Sequence, residues 1–90
     1  MKLLIVPKWV LPFGYGLTLY KLALVRKEGY DMNYTAAHEE CHTIQWAAIG
    51  FFRFPYRYLV ELYKVGYWNN KYEVEARAYG KKMCKIKKYV

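Results

Sequence analysis

Thr35-Ala36-Ala37-His38-Glu39-Glu40-Cys41-His42-Thr43-Ile44-Gln45 is the stretch on which the reading of this chain turns. It contains His-Glu-x-x-His, and its two histidines are the only two in the 90-residue chain. Read as a helix, it places positions 38 and 42 on one face, a turn of about 5.4 Å apart, so both imidazoles can reach one metal ion. Glu39 is rotated about 100° from His38. It stands beside such an ion, where a carboxylate can take a proton from a water that the ion activates. Five residues thus supply two ligands and a general base. The bland alternative is a helix whose histidines cap or pack.

Working outward, Asn33 or Thr35 caps the start of this helix, which runs to about Phe52, before Pro55. His38, Cys41, His42 and Gln45 share one side, and Trp46, Ile49 and Phe52 cover the neighbouring surface. Upstream, Leu3 to Val6 is a short strand or arm that Pro7 ends. Trp9 to Gly16 mixes bulky residues with breakers and reads as a loop or bent strand. Leu17 to Arg26 reads as a strand with one edge exposed, with a helix as the competing reading. Lys27 to Asp31 is a turn. Downstream, Pro55 suits the first turn of a second helix reaching about Val65. Gly66 to Lys71 is a turn in which Asn70 caps a third helix, Tyr72 to about Lys87. That helix carries Tyr72, Ala76, Tyr79, Met83 and Ile86 on one stripe. Lys81, Lys82, Lys85 and Lys88 fall on other faces and read as a solvated cluster. The expected fold is α+β, one domain over residues 1–90, with short N-terminal strands, an active-site helix and one or two further helices.

Composition narrows the function classes. A hydrophobic content of 56% with 20% aromatic residues excludes general disorder. A chain this short buries a modest core, and such domains often need a metal or disulfide to stabilise them. The net charge of +8 suggests an acidic partner, nucleic acid or an anionic surface. There is no RNA-binding aromatic motif, zinc-finger spacing or Gly-rich phosphate loop. Two cysteines are too few for a secreted disulfide scaffold and point to a reducing compartment. The uncharged run from Trp9 to Tyr20 is broken by Pro12, Gly14 and Gly16 and falls short of the ~20 residues of a membrane span. No signal peptide is evident, so the expectation is a cytoplasmic protein.

Two histidines do not complete a zinc site, since catalytic zinc takes three protein ligands and leaves one position for water. The candidates for the third are Glu73, Glu75, Cys41 and Cys84. Cys41 shares the histidines' helix, less than a turn from either, and would struggle to point at the same ion. Cys84 is about 16 Å along the third helix from Glu73, so the two cannot serve one ion together. Glu73 lies on a flank with Ala76, Gly80 and Cys84, small residues that let another helix approach. Glu75 lies on the flank bearing Lys82. Geometry gives Glu73 a slight preference; the alternative for both is a surface carboxylate near a helix N-terminus, where negative charge is favourable anyway.

His38-Glu39-Glu40-Cys41-His42-Thr43-Ile44-Gln45 followed by Asn69-Asn70-Lys71-Tyr72-Glu73-Val74-Glu75-Ala76 resembles the zincin metallopeptidases of the gluzincin type. It is similar to small bacterial and phage proteins with a minimal version of that domain. The resemblance covers roughly residues 34 to 80. It implies zinc bound by His38, His42 and Glu73, with Glu39 as general base in peptide-bond hydrolysis. It also implies that Leu17 to Arg26 is the edge strand that aligns an extended peptide substrate. The chain departs from the Glu-x-x-Ala-Asp form of the pattern, because Arg77 stands where the supporting Asp would be. A donor to the oxyanion is needed, and among eleven tyrosines the sequence selects none. Two rival expectations remain: a zinc-stabilised binding module without turnover, and a basic nucleic-acid-binding domain.

Overall fold

Alternation of small and large residues in the N-terminal third builds a three-stranded sheet. The computed structural model describes residues 1–7, 9–10, 16–27 and 31–89. Strands β1 (Lys2–Val6), β2 (Gly16–Leu19) and β3 (Leu22–Arg26) lie in the order β1-β3-β2. β1 runs parallel to β3 and β2 antiparallel to it. The registers Gly16↔Val25 and Thr18↔Ala23 put these four residues on one face, since side chains alternate along a strand. Ala23, Val25 and Thr18 are buried there against the following helix.

Leu17 to Arg26, read from sequence as a single strand, is instead a hairpin. It turns at Tyr20, whose φ of 56° is left-handed, and at Lys21. The edge strand is its first half, Gly16–Leu19. The loop expected over Trp9 to Gly16 falls outside the described residues at 11–15, and the turn over Lys27 to Asp31 does so at 28–30.

Three helices follow: α1 (Met32–Ile49), α2 (Arg53–Asn69) and α3 (Lys71–Met83). The chain is therefore α+β in the expected order. The cap of α1 is Asp31 rather than Asn33 or Thr35. Its carboxylate accepts the Asn33 and Tyr34 N–H groups at 2.9 and 3.3 Å, satisfying donors that the first turn leaves free. α1 stops at Ile49 rather than Phe52. Gly50, with φ of 126°, turns the chain out of the helix while its N–H still reaches the Trp46 carbonyl. Phe52 then stands largely in solvent, with its ring edge-on to Phe51.

α2 starts two residues before Pro55 and is broken at Gly66, with φ of 80° and ψ of 174°. The turn expected from Gly66 is thus a kink, beyond which Tyr67 to Asn69 resume a helical form. Asn70 caps α3 as expected: its Oδ1 accepts the Tyr72 N–H at 2.9 Å, and its Nδ2 donates to the Tyr58 carbonyl at 3.3 Å. α3 ends at Met83, short of Lys87, and Ile86 is exposed rather than part of a buried stripe.

α1 is the central element, packed on the sheet and, most broadly, on α3. Small residues make both approaches close. Ala36 and Ala37 are fully buried, and Ala76 and Gly80 are buried on α3. A Cβ added at Gly80 would stand 3.0 Å from Tyr34 Cε2 and 3.4 Å from His38 Cα. Among the described residues, no helix is long and apolar enough to cross a membrane.

Candidate metal centre

His38 and His42 lie one turn apart on α1, on the face toward α3, and Glu73 projects from the first turn of α3 between them. His38 Nε2 is 2.9 Å from Glu73 Oε1, and His42 Nε2 is 3.2 Å from the same carboxylate. One ligand atom from each residue lies within 4.8 Å of the others. Asn70 fixes where α3 begins, and Gly80 sets how near it comes to α1. Together they seat Glu73 opposite the histidines.

The chemistry of this set suits a cation. Gln45 Nε2 donates to the Tyr72 carbonyl at 3.0 Å and to Glu75 Oε1 at 2.9 Å, both pure acceptors. Its Oε1 must therefore face His42 Nδ1, 2.8 Å away, and accept a proton from it. A neutral His42 then turns the lone pair of Nε2 toward the Glu73 carboxylate. Two acceptors 3.2 Å apart need positive charge between them, either a proton or a metal ion. Tetrahedral zinc with N and O bonds of about 2.0–2.1 Å separates neighbouring ligand atoms by about 3.3 Å, close to the two histidine–carboxylate spacings of 2.9 and 3.2 Å. The residues present thus fit a zinc ion.

Burial opposes charge on Glu73, but hydrogen bonds from His38 and His42, with a further one from Tyr58, hold its carboxyl far below the usual range. The Tyr58 hydroxyl donates to Glu73 Oε2 at 2.5 Å and fixes the carboxylate's rotation. Burial also disfavours the charged form of His42, yet its bond to Glu73 and the nearby Glu39 charge raise its affinity for a proton. Glu39 is buried on the sheet side of α1, where loss of solvation raises its pKa against the pull of both histidines. Thr18 crosses from β2 to donate to the Glu39 carbonyl at 3.2 Å, with the Glu39 carboxylate at 3.4 Å. Gly16 clears space for this carboxylate: a Cβ there would meet Thr35 Cγ2 at 2.8 Å and Glu39 Cγ at 3.0 Å.

All four residues named from the motif and its downstream partner, His38, Glu39, His42 and Glu73, line one pocket of about 440 Å³. The edge strand Gly16–Leu19 forms one wall, and Phe54, Pro55 and Leu59 of α2 contribute to the other. The remaining candidates are elsewhere. Glu75 is exposed and accepts from Gln45. Cys41 is buried with its sulfur 3.8 Å from Glu75, and burial first, then that carboxylate, push its thiol up to about 12. Cys84 donates to the Lys81 carbonyl.

Sequence reading placed Gln45 on the right face without its role, and it named neither Tyr58 nor Thr18. Tyr58 had one signal: it follows Phe54 by four residues and so shares the inward face of α2. Of the tyrosines, Tyr58 and Tyr67 line the pocket. Burial, then the Glu73 charge, raises the pKa of Tyr67, so its hydroxyl stays protonated and can donate. Arg77, in place of an expected acid, turns away from the histidines. It donates to the Trp68 carbonyl at 2.5 Å and lies 3.8 Å over the Trp68 ring, holding the segment after Gly66 that carries Tyr67. Against protein-family models, curated proteins and solved structures alike, the chain finds no match.

Proposed function

We propose that the protein is a minimal zinc-dependent metallopeptidase of zincin type, hydrolysing an extended peptide. The observation that carries this is the convergence of His38, His42 and Glu73, with the His42 tautomer set by Gln45, beside the buried Glu39. Zinc held by these three residues would supply a Lewis acid that brings the pKa of water to about 7 and polarises a carbonyl. Glu39 accepts the proton of the attacking water and returns it to the leaving amine. Its burial raises its proton affinity toward that of a proton carrier. Tyr67 lines the pocket with Tyr58, and its hydroxyl, kept protonated beside Glu73, donates to the developing oxyanion. Among the described residues β2 has a strand neighbour on one side only, so its other edge can hydrogen-bond an extended chain laid along the pocket.

The test is elemental analysis of wild type and of His38→Ala, Glu73→Ala, Glu75→Ala and Glu39→Gln, followed by a peptide-library cleavage assay. The expected result is one zinc per chain in wild type, Glu75→Ala and Glu39→Gln, with none in the other two. Cleavage should fall by about 10²–10⁴-fold in Glu39→Gln. Zinc-free wild type after reconstitution, or full hydrolysis by Glu39→Gln, would sink the proposal. A second reading, a zinc-stabilised binding module, is favoured by Arg77 standing where an acid is expected. It has the same metal pattern with no cleavage by any variant.

A further inference from the structure

α2 shows solvent the wrong face for a simple surface helix. Phe52 is 82% exposed, Tyr56 71%, Leu59 61% and Tyr63 93%. Their spacing of four, three and four residues puts them within an arc of about 60° on a helix. Such an apolar stripe normally packs inward. Here the inward face is a different one, marked by Phe54, the single buried residue of α2, and by Tyr58.

Beside the stripe runs a strip of cations. Arg53, Lys64 and Arg57 lie about 60–100° around the helix from the edge of the stripe. None forms a salt bridge among the described residues. Arg57 and Lys64 also line a groove of about 270 Å³ with Lys71 of α3. Glu61, the only acid of α2, borders the groove and has its carboxylate 3.3 Å from the Lys71 N–H, serving the start of α3.

We infer that this face of α2 docks on an anionic lipid surface. The apolar stripe would enter the boundary between headgroups and chains, while Arg53, Arg57 and Lys64 meet the phosphates and the groove receives one headgroup. Helices that lie in a membrane interface combine these two features. Tyr56, Tyr63 and, past the kink, Trp68 are of the types enriched at that depth. Charge argues against a second copy as the occupant. A two-fold pairing through α2 would bring three cations and one acid against the same set, in chains carrying +8 each. Nucleic acid suits the groove of Tyr56, Arg57, Lys64, Lys71 and Tyr72 but leaves the apolar Phe52 and Leu59 in water, whereas a lipid interface takes up both features. The inference does not depend on metal or on hydrolysis.

The test is co-sedimentation of the full chain with vesicles of phosphatidylcholine alone, or mixed with phosphatidylglycerol. Binding to the mixed vesicles is expected. The pair Arg57→Gln and Lys64→Gln should weaken it about 25-fold, since each basic residue near an anionic surface contributes about 1 kcal/mol. Phe52→Ser and Tyr63→Ser should each weaken it tenfold or more, with circular dichroism unchanged. If the apolar variants fail to fold, the charge pair decides. No partition into mixed vesicles would overturn the inference. So would equal binding to both vesicle types, retention in the folded serine variants, displacement by a single-stranded oligonucleotide that binds both serine variants normally, or a dimer in light scattering that these substitutions dissolve.

Discussion

Gln45 is held by three groups at once, and that makes it the residue on which the state of His42 depends. Its amide cannot flip, because the Tyr72 carbonyl and Glu75 both require a donor. Replacing it with Leu keeps the volume but leaves His42 Nδ1 without its acceptor and the Tyr72 carbonyl without its second donor. Gln45→Leu should lower zinc affinity 10- to 100-fold, the usual effect of losing a group that orients a ligand. It should also cost about 1–3 kcal/mol of stability for buried groups left unpaired. Competition with a chelator measures the first and urea unfolding the second. Unchanged affinity would show that His42 needs no such orientation. The pairing of His38 with His42 was legible in the sequence, because four-residue spacing on a helix is a local property, whereas Glu73 was chosen over Glu75 only by the small residues on its flank and by resemblance. The role of Gln45 was not, because it depends on a carbonyl 27 residues away.

Helix α3 acts through its distance from α1. Gly80 admits Tyr34 and the backbone of His38, and the ring can yield while the backbone cannot. Gly80→Ala gains up to ~1 kcal/mol in helix propensity, against an overpacking cost of about 1–3 kcal/mol. The expected outcome is a lower Tm together with weaker zinc binding, since the displaced element carries His38. Thermal unfolding and chelator competition check it, and a rise in both quantities would mean that the interface has slack. Small residues on the flank of Glu73 announced this approach in the sequence. The helix ends were less legible. Asp31 and Asn33 are equally good caps, and only the path of the chain into α1 selects Asp31. The hairpin turn was hidden because Tyr20 and Lys21 are not turn-forming types, and a left-handed φ at tyrosine is imposed by pairing of the flanking strands.

At the scale of the whole molecule, the buried apolar set among the described residues is small. It is rich in alanine, and the largest fully buried side chains are Val25 and Asn70. The far end of the chain is held by polar contacts instead. Tyr79 and Tyr89 donate to Glu40 at 2.5 Å, and Asn33 donates to the Cys84 and Lys87 carbonyls. On the proposed reading, a fold with so little apolar volume should lean on a bound zinc ion. Zinc at about 100 times its Kd adds about 2.7 kcal/mol. Chelation should therefore lower Tm by roughly 10–20 °C, read by differential scanning calorimetry. A Tm indifferent to chelator would place the stability elsewhere and remove support for the metal.

The separation of 31 residues between His42 and Glu73 has a topological consequence. On the proposed reading, an ion shared by these residues closes a ring of chain with α2 entirely inside it. It works as a cross-link on the unfolded chain. By analogy with a disulfide spanning a loop of that length, it removes disorder equivalent to about 3–4 kcal/mol. The helix so enclosed has one buried residue and a broken end, which makes it the segment least able to keep its place unaided. The centre would thus confine the wall of its own pocket, even though no α2 side chain is a ligand.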